Sequence, residues 1–366
     1  MEPFKNAFDY RNALRIGRAI KAAHPDFSLP AFRRGLEDAL GTRELKDRMR
    51  LLADRIEAGL PGDPRVLFPI LTRALGDETS GLGGFAVWPL TEIVARRGLD
   101  HHHAAMDALE SMTCRFTAEF AIRSFIRAKP EPTFRQLHHW CGHPSEHVRR
   151  LVTEGSRPLL PWGGRLPELL APPFPTIDLL EHLHRDPSDY VRLSVSNHLN
   201  DFSKSHPGLV LETLARWLDQ SPGDPAQQKL ARHACRTLFK QGHPGALKLH
   251  GYGSPDSLET SAIQLETPSV KLGGKLPWQL SIRNRSQQPV LVMCDYAIHF
   301  MKANGALKPK VFKGRTRELA PGETWHVSGA HPFRPVTTRV HYPGTHRIEP
   351  LVNGRAHPAA DFQLVL

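Results

Sequence analysis

Two rhythms of hydrophobic residues divide the chain. From about residue 8 to about residue 250, apolar residues recur at the spacing of one helical face, and prolines and glycines mark the breaks. The run ELKDRMRLLADRIEAGL stops at Pro61, RVLFPILTRALG at Gly76, and FAVWPLTEIVARRGL at Gly98 and Leu99. Each predicts one short helix, and no alternating strand pattern interrupts them. Around Ser254 to Ser257 the rhythm changes to short β-prone runs: SAIQLET, WQLSIRNRS, PVLVMCDYAIHFM, RTRELAPGETWHVSG, TRVHYPGTHRIEPLVNGR and DFQLVL. Asn304-Gly305, Pro321-Gly322, Pro343-Gly344 and Asn353-Gly354 punctuate them as turn signals. The predicted architecture is therefore an all-α domain over residues 1–253 followed by an all-β, immunoglobulin-like sandwich over residues 254–366. No Cys…Trp…Cys framework is present, which argues against an antibody-type domain.

The helical part repeats. HPSEHVRRLVTE from His143 aligns with DPSDYVRLSVSN from Asp186, 43 residues on, with Pro, Ser, the acid, Val and Arg all matching. QKLARHACRTL from Gln228 is a weaker third copy, placing Leu230, Ala234 and Leu238 where Val191, Val195 and Leu199 fall. A period near 40 built from helix pairs is the signature of HEAT or armadillo-like solenoids. The x-Pro-Ser-acid opening predicts a helix start, with proline in the first turn and an acid near the positive end of the helix dipole. Valine then faces the inter-helix core and arginine faces solvent or a ligand.

Composition narrows the partners. The 366 residues carry a formal charge of +11, which favours an anionic partner such as nucleic acid or a membrane surface. Charges of both signs are mixed and 40% of residues are hydrophobic, so the chain is globular rather than a basic tail. No apolar run reaches the length of a membrane span, and MEPFKNAFDYRNALR lacks a signal-peptide core. Cys114, Cys141, Cys235 and Cys294 are scattered, as expected for free thiols in a reducing cytoplasm.

Against this basic background three acids stand out: Glu119 in RFTAEFAIRSF, Glu154 at the end of its helix and Asp201 near the end of the equivalent one. Ordinary helical ion pairs would explain each singly: Arg115 and Arg123 flank Glu119, Arg150 and Arg157 flank Glu154, and Lys204 follows Asp201. Neighbouring helices pack about 8–10 Å apart, so only a tightly curved array brings all three together. Trp162, between Pro161 and Gly163-Gly164, is either packed beneath a loop or a π face for a cationic ligand. Trp88 and Trp217 read as core, and Trp140 is undecided. Arg123, Arg149, Arg150, Arg157, Arg192, His198 and Lys204 recur on these helices and their ends as a candidate phosphate-tracking surface. In the β domain Lys302, Lys308, Lys310, Lys313, Arg315 and Arg317 form a basic loop or edge strand, either guarding against aggregation or touching nucleic acid. Consecutive residues on a helix point in different directions, so His101, His102 and His103 read as a solvated helix start rather than a metal site. Nucleotide-binding loops, zinc-protease motifs and serine-hydrolase elbows are absent.

FAVWPLTEIVARRGL, FTAEFAIRSFI, HPSEHVRRLVTEGSRPLLPW and DPSDYVRLSVSNHLNDFSKSHP closely resemble the HEAT-like repeat DNA alkylation repair glycosylases, specifically the AlkC-type branch. The resemblance covers essentially all of the helical part, and the β tail resembles the immunoglobulin-like domain of one AlkC subgroup. It implies excision of cationic N3-methyladenine and similar small N3-methyl lesions from duplex DNA, without base flipping, leaving an abasic site. It places the family's active-site acids and aromatic on Glu119, Glu154, Asp201 and Trp162. It implies a monofunctional enzyme with no metal or cofactor, a monomer in the cytoplasm, with duplex DNA containing alkylated bases as partner. Among the basic residues, Lys310, Lys313 and Arg315 are the expected DNA contacts of the β domain. Two rivals follow from the same residues: a non-catalytic HEAT scaffold for bent or damaged DNA, and a protein–protein adaptor.

Overall fold

The computed structural model describes residues 3–335 and 340–366. Met1 and Glu2 of the amino-terminal stretch lie outside the described residues, as do Thr338 and Arg339 of TRVHYPGTHRIEPLVNGR. The chain forms two compact units, Met1–Ser205 with Asp224–Ala234, and His206–Gly223 with Cys235–Leu366. This division does not follow the compositional boundary between residues 253 and 254. The helices Pro207–Asp219, Arg236–Lys240 and Pro244–Leu249 group with the strands.

In the first unit several helices pack on the next but one, as in a two-layered solenoid. Leu45–Glu57 packs on Trp88–Arg97, Pro64–Arg73 on His102–Thr113, and Glu146–Gly155 on Asp189–Phe202, which in turn packs on Pro225–Ala234. Val148, Leu151 and Val152 of one repeat and Val191, Val195 and Leu199 of the next are all fully buried. In both repeats the proline lies just before the capping serine rather than inside the helix. Ser145 and Ser188 are the caps, and Ser188 accepts from the Tyr190 amide. The repeat arginines also differ from expectation. Arg149 donates to the carbonyl of His143 at 2.8 Å, and Arg192 donates to the equivalent carbonyl of Asp186. Each closes its own helix-entry loop. Arg149 additionally forks onto the Asp186 carboxylate at 2.6 and 3.0 Å, tying one repeat to the next.

The second unit contains the sandwich. Its strands are β1 (Leu258–Thr260), β2 (Gln264–Leu265), β3 (Ser269–Lys271), β4 (Lys275–Asn284), β5 (Val290–Met301), β6 (Leu307–Leu319), β7 (Thr324–Pro332), β8 (Gly344–Val352), β9 (Arg355–Ala356) and β10 (Ala360–Val365). In one sheet β4 pairs with β7 on one side and with β1 and β2 on the other. The second runs β3-β10-β8-β5-β6, with β9 on β8. Alternation along β4 buries Leu276, Trp278, Leu280 and Ile282 against Val292, Ile298, Phe300, Ile348 and Phe362 of the other sheet. Asn353-Gly354 forms the turn between β8 and β9, both residues at positive φ (42° and 78°), as a tight hairpin requires. Gly344 begins β8 instead of sitting in a turn.

Trp88 and Trp217 are buried, and Trp140 is also core, its indole N–H donating to Glu110 at 2.7 Å. All four cysteines are free. Among the described residues no helix is long and apolar enough to cross a membrane, and no group of three His, Cys, Asp or Glu is placed to hold a metal. His102 bonds to Thr133 at 3.0 Å and is half-buried, so only part of the histidine run is solvated.

His198 is fully buried between repeats. Its Nδ1–H donates to the Thr153 carbonyl at 2.8 Å and its Nε2 accepts from the Thr176 hydroxyl at 3.1 Å. Burial pushes it down to about 4 from the usual 6.5. The unfolded chain therefore takes up this proton first. The neutral ring's contribution to stability is present above pH ~6.5 and drains away as the pH falls toward about 4. Urea unfolding followed by far-ultraviolet circular dichroism should show wild type losing more stability between neutral and mildly acidic pH than His198→Gln. Equal losses would contradict this assignment.

Candidate active site

The three acids converge, though not through the partners their sequence neighbours suggest. Glu119 lies in a turn just before the helix Ile122–Ala128, not on a helix. It is held from across the repeat by Arg150, whose Nη1 donates to it at 2.6 Å and to Thr117 at 2.8 Å. Arg115 is occupied by the Gly76 and Asp77 carbonyls. Glu154 ends the helix Glu146–Gly155. It lies 3.6 Å from Arg150, accepts from Arg157 at 2.6 Å and accepts from the Ser194 hydroxyl at 2.7 Å. Asp201, on the last turn of Asp189–Phe202, accepts from Arg157 at 3.0 and 3.3 Å, from the Leu159 amide at 3.3 Å and from Lys204 at 3.3 Å.

The result is one alternating row: Glu119, Arg150, Glu154, Arg157, Asp201. Its formal charge is −1 before Lys204 is counted. Glu119 is 8% exposed, Glu154 5% and Asp201 1%. An isolated carboxylate in such surroundings is strongly disfavoured, and guanidinium forks are the geometry that offsets the cost. Gly155 makes the close approach possible. A Cβ there would sit 2.4 Å from the Ile122 side chain, beside the backbone of Glu119.

Three residues expected on a phosphate surface are instead internal. Arg123 is 4% exposed and donates to the carbonyls of Gly155 (2.8 Å), Arg157 (2.7 Å) and Gly164 (2.8 Å). Burial lowers its guanidinium to about 10, which leaves it charged at neutral pH. It is the clamp that fixes the loop after Glu154, because buried carbonyls need donors. His198 is wholly enclosed, as described above. Arg157 is also buried, at 6%, and is spent on two carboxylates. Arg149 and Arg192 are engaged in their own loops. Lys204 remains about half-exposed beside Asp201.

That clamped loop carries Trp162, which is 51% exposed with φ 64°. A bulky residue in the left-handed region is costly and persists only where its surroundings impose it. Arg123 at Gly164, Asp201 at the Leu159 amide and Lys46 at the Trp162 carbonyl do so here. The tryptophan is therefore presented outward and not packed beneath the loop.

Sequence reasoning did not single out Ser194, Thr117 or Tyr190. The ring of Tyr190 lies 5.2 Å from the Arg150 guanidinium, and its 41% exposure makes it one of the few large apolar surfaces beside the row. Arg150 contacts residues on three elements, which no sequence-local pattern reveals.

The basic stretch of the second unit is an edge strand, β6. Lys308, Lys310, Lys313 and Arg315 are exposed along it. Lys310 lies 5.5 Å from the Phe312 ring, and Arg317 pairs with Glu323 at 2.6 Å. Lys302 falls in the preceding turn.

Comparison with known proteins bears on both units. Residues 259–366 match the family described as the C-terminal Ig-like domain of the uncharacterised protein YhaZ. The uncharacterized protein YhaZ of Bacillus subtilis is 36% identical over 365 residues, with both chains covered completely. The alkylpurine DNA glycosylase AlkC of Pseudomonas fluorescens, solved bound to DNA containing an abasic site analog, superposes with a TM-score of 0.90 at 34% identity, over the full length of both chains. The chain belongs to the AlkC-type family. The AlkC-type architecture, a helical repeat unit with a C-terminal immunoglobulin-like domain, is thereby established.

Arg157→Met would leave two buried carboxylates, Glu154 and Asp201, without their shared partner. The expected loss is about 3–5 kcal/mol, read as a lower thermal midpoint, and Arg157→Lys should recover only part because an ammonium cannot fork. A wild-type midpoint for Arg157→Met would contradict the shared-partner geometry.

Proposed function

We propose that the protein is a monofunctional DNA glycosylase, acting as a monomer, that hydrolyses the N-glycosidic bond of N3-methyladenine and similar small N3-methyl lesions in duplex DNA, leaving an abasic site. The observation carrying this reading is the buried carboxylate row beside an outward-held tryptophan, in a chain similar along its whole length to an alkylpurine DNA glycosylase.

The chemistry suits these residues. An N3-methylated adenine is already a cation, so its glycosidic bond breaks without a general acid to protonate the leaving group. Positive charge then builds on the deoxyribose in an oxocarbenium-like transition state. A preorganised carboxylate stabilises that charge and orients or deprotonates the attacking water. Glu119, Glu154 and Asp201 are the carboxylates assigned to this work. Trp162 offers its π face to the cationic base or sugar. Arg150 and Arg157 fix the acids, so little reorganisation is needed when the charge appears. Base flipping is not required if a kinked duplex exposes the lesion directly, and such a kink draws on the deformability of the DNA. Lys204 is bound to Asp201 and is given no nucleophilic role, so no lyase step follows.

Phosphate contacts are assigned to the cations that keep exposed surface: Lys204 near the row and Lys310, Lys313 and Arg315 on β6. Replacing those three β6 residues by alanine should flatten the dependence of log affinity on log salt by about 0.9 for each phosphate no longer neutralised.

The deciding experiment is chromatography of bases released from methylated duplex DNA. Wild type should release free N3-methyladenine. Asp201→Asn and Glu119→Gln should each lower the rate by about 100-fold or more while binding abasic duplex near normally. Binding without any release would favour a non-catalytic scaffold. Loss of salt-dependent DNA binding altogether would favour a protein adaptor.

A further inference from the structure

The helix Leu45–Glu57 and the residue preceding it hold two separate segments against each other. Lys46 donates to the Trp162 carbonyl. Arg48 donates to the carbonyls of Lys5 at 3.0 Å and Phe8 at 3.4 Å, and Glu44 pairs with Lys5 at 2.8 Å. One segment is the loop of Trp162. The other is the short amino-terminal turn Phe4–Phe8. The consequence is that the ring of Phe4 meets the ring of Trp162 edge-on, with centroids 5.7 Å apart and planes at 76°. Both rings remain more than half exposed, at 56% and 51%. Side by side, two large aromatics left in water at fixed geometry are unusual in a folded chain, which ordinarily buries such rings. Behind them the ring contacts run from Phe4 through partly buried Phe85 and Phe116 and buried Trp88 to Phe120, the chain neighbour of Glu119. The exposed pair is thus one end of an aromatic ladder whose other end is the chain neighbour of Glu119, the first carboxylate of the row.

We propose that Phe4 and Trp162 form a single two-aromatic recognition pad for a positively charged purine ring, which makes Phe4 a specificity-determining residue of the site. This rests on the reading of the site as one that meets a cationic nucleobase, and it adds a residue from a part of the chain far from the acids. The T-shaped contact fixes the orientation of the two rings relative to each other. Both rings present electron-rich π surface to a cation, and the ladder beneath them prevents the pair from collapsing inward.

Two measurements separate this inference from the wider functional reading. The first titrates the full chain with N7-methylguanosine at mildly acidic pH, where that purine nucleoside is cationic, and with guanosine as the neutral control. Tryptophan fluorescence is the readout. The cation should quench at lower concentration than guanosine, Phe4→Ala should weaken the cation's binding by about tenfold, and Phe4→Tyr should retain it. The second measures kcat/KM for release of N3-methyladenine. Phe4→Ala should lower it by a similar factor, with unchanged thermal midpoint and unchanged affinity for abasic duplex, and Phe4→Tyr should preserve it. Equal quenching by both nucleosides, an unaffected Phe4→Ala, or equal losses for Phe4→Ala and Phe4→Tyr would overturn the pad. Failure of wild type to release any base, with selective cation binding intact, would instead remove the glycosylase reading and leave the pad standing.

Discussion

Everything at the site depends on Arg157 joining Glu154 to Asp201. Those carboxylates belong to successive repeats, and each is almost completely withdrawn from water. Without a shared cation, packing the two repeats together would force two like charges into a medium that solvates neither. With it, the repeats close, and Arg150 extends the same device to Glu119. The row is thus a structural seam and the candidate reactive surface at once. A seam of this kind holds acids rigidly oriented, which is what a site that must meet developing positive charge needs.

The same economy governs the loop that follows. The carbonyls left open where the helix Glu146–Gly155 ends are taken by Arg123, which enters from the preceding repeat. That buried clamp, the Asp201 contact to the Leu159 amide and the Lys46 contact together fix the backbone around Trp162. The basic residues of this unit therefore divide by exposure. Arg123 and Arg157 organise the site from within, whereas Lys204 keeps about half of its surface exposed. A net charge of +11 does not distinguish the two groups; burial does.

Much of this was legible in the residues. The 43-residue repeat marks equivalent helices, the β rhythm marks the sandwich, and RFTAEFAIRSF, HVRRLVTEGSRPLLPW and DPSDYVRLSVSNHLNDFSK carry the AlkC-type resemblance. Periodicity identified the helices because a buried face must repeat at helical spacing. It did not identify the ion-pair partners, because these are set by crossings between repeats. Glu119 is flanked in sequence by Arg115 and Arg123, yet pairs with Arg150. His198 looks like a basic surface residue until the packing against Thr153 and Thr176 is known. The grouping of Pro207–Asp219 with the sandwich unit is likewise a matter of packing that composition does not reveal. Phe4 was missed because nothing in MEPFKNAFDY signals that Arg48 will hold that turn beside Trp162.

The carboxylate row is proposed to face the reacting sugar. A structure of this protein bound to duplex DNA containing an abasic-site analogue decides the matter. At least one carboxylate of Glu119, Glu154 or Asp201 should lie within about 3–3.5 Å of the anomeric carbon or of a water poised to attack it. A complex in which the duplex lies across another face, with all three carboxylates still enclosed by Arg150 and Arg157 and remote from the sugar, would contradict it.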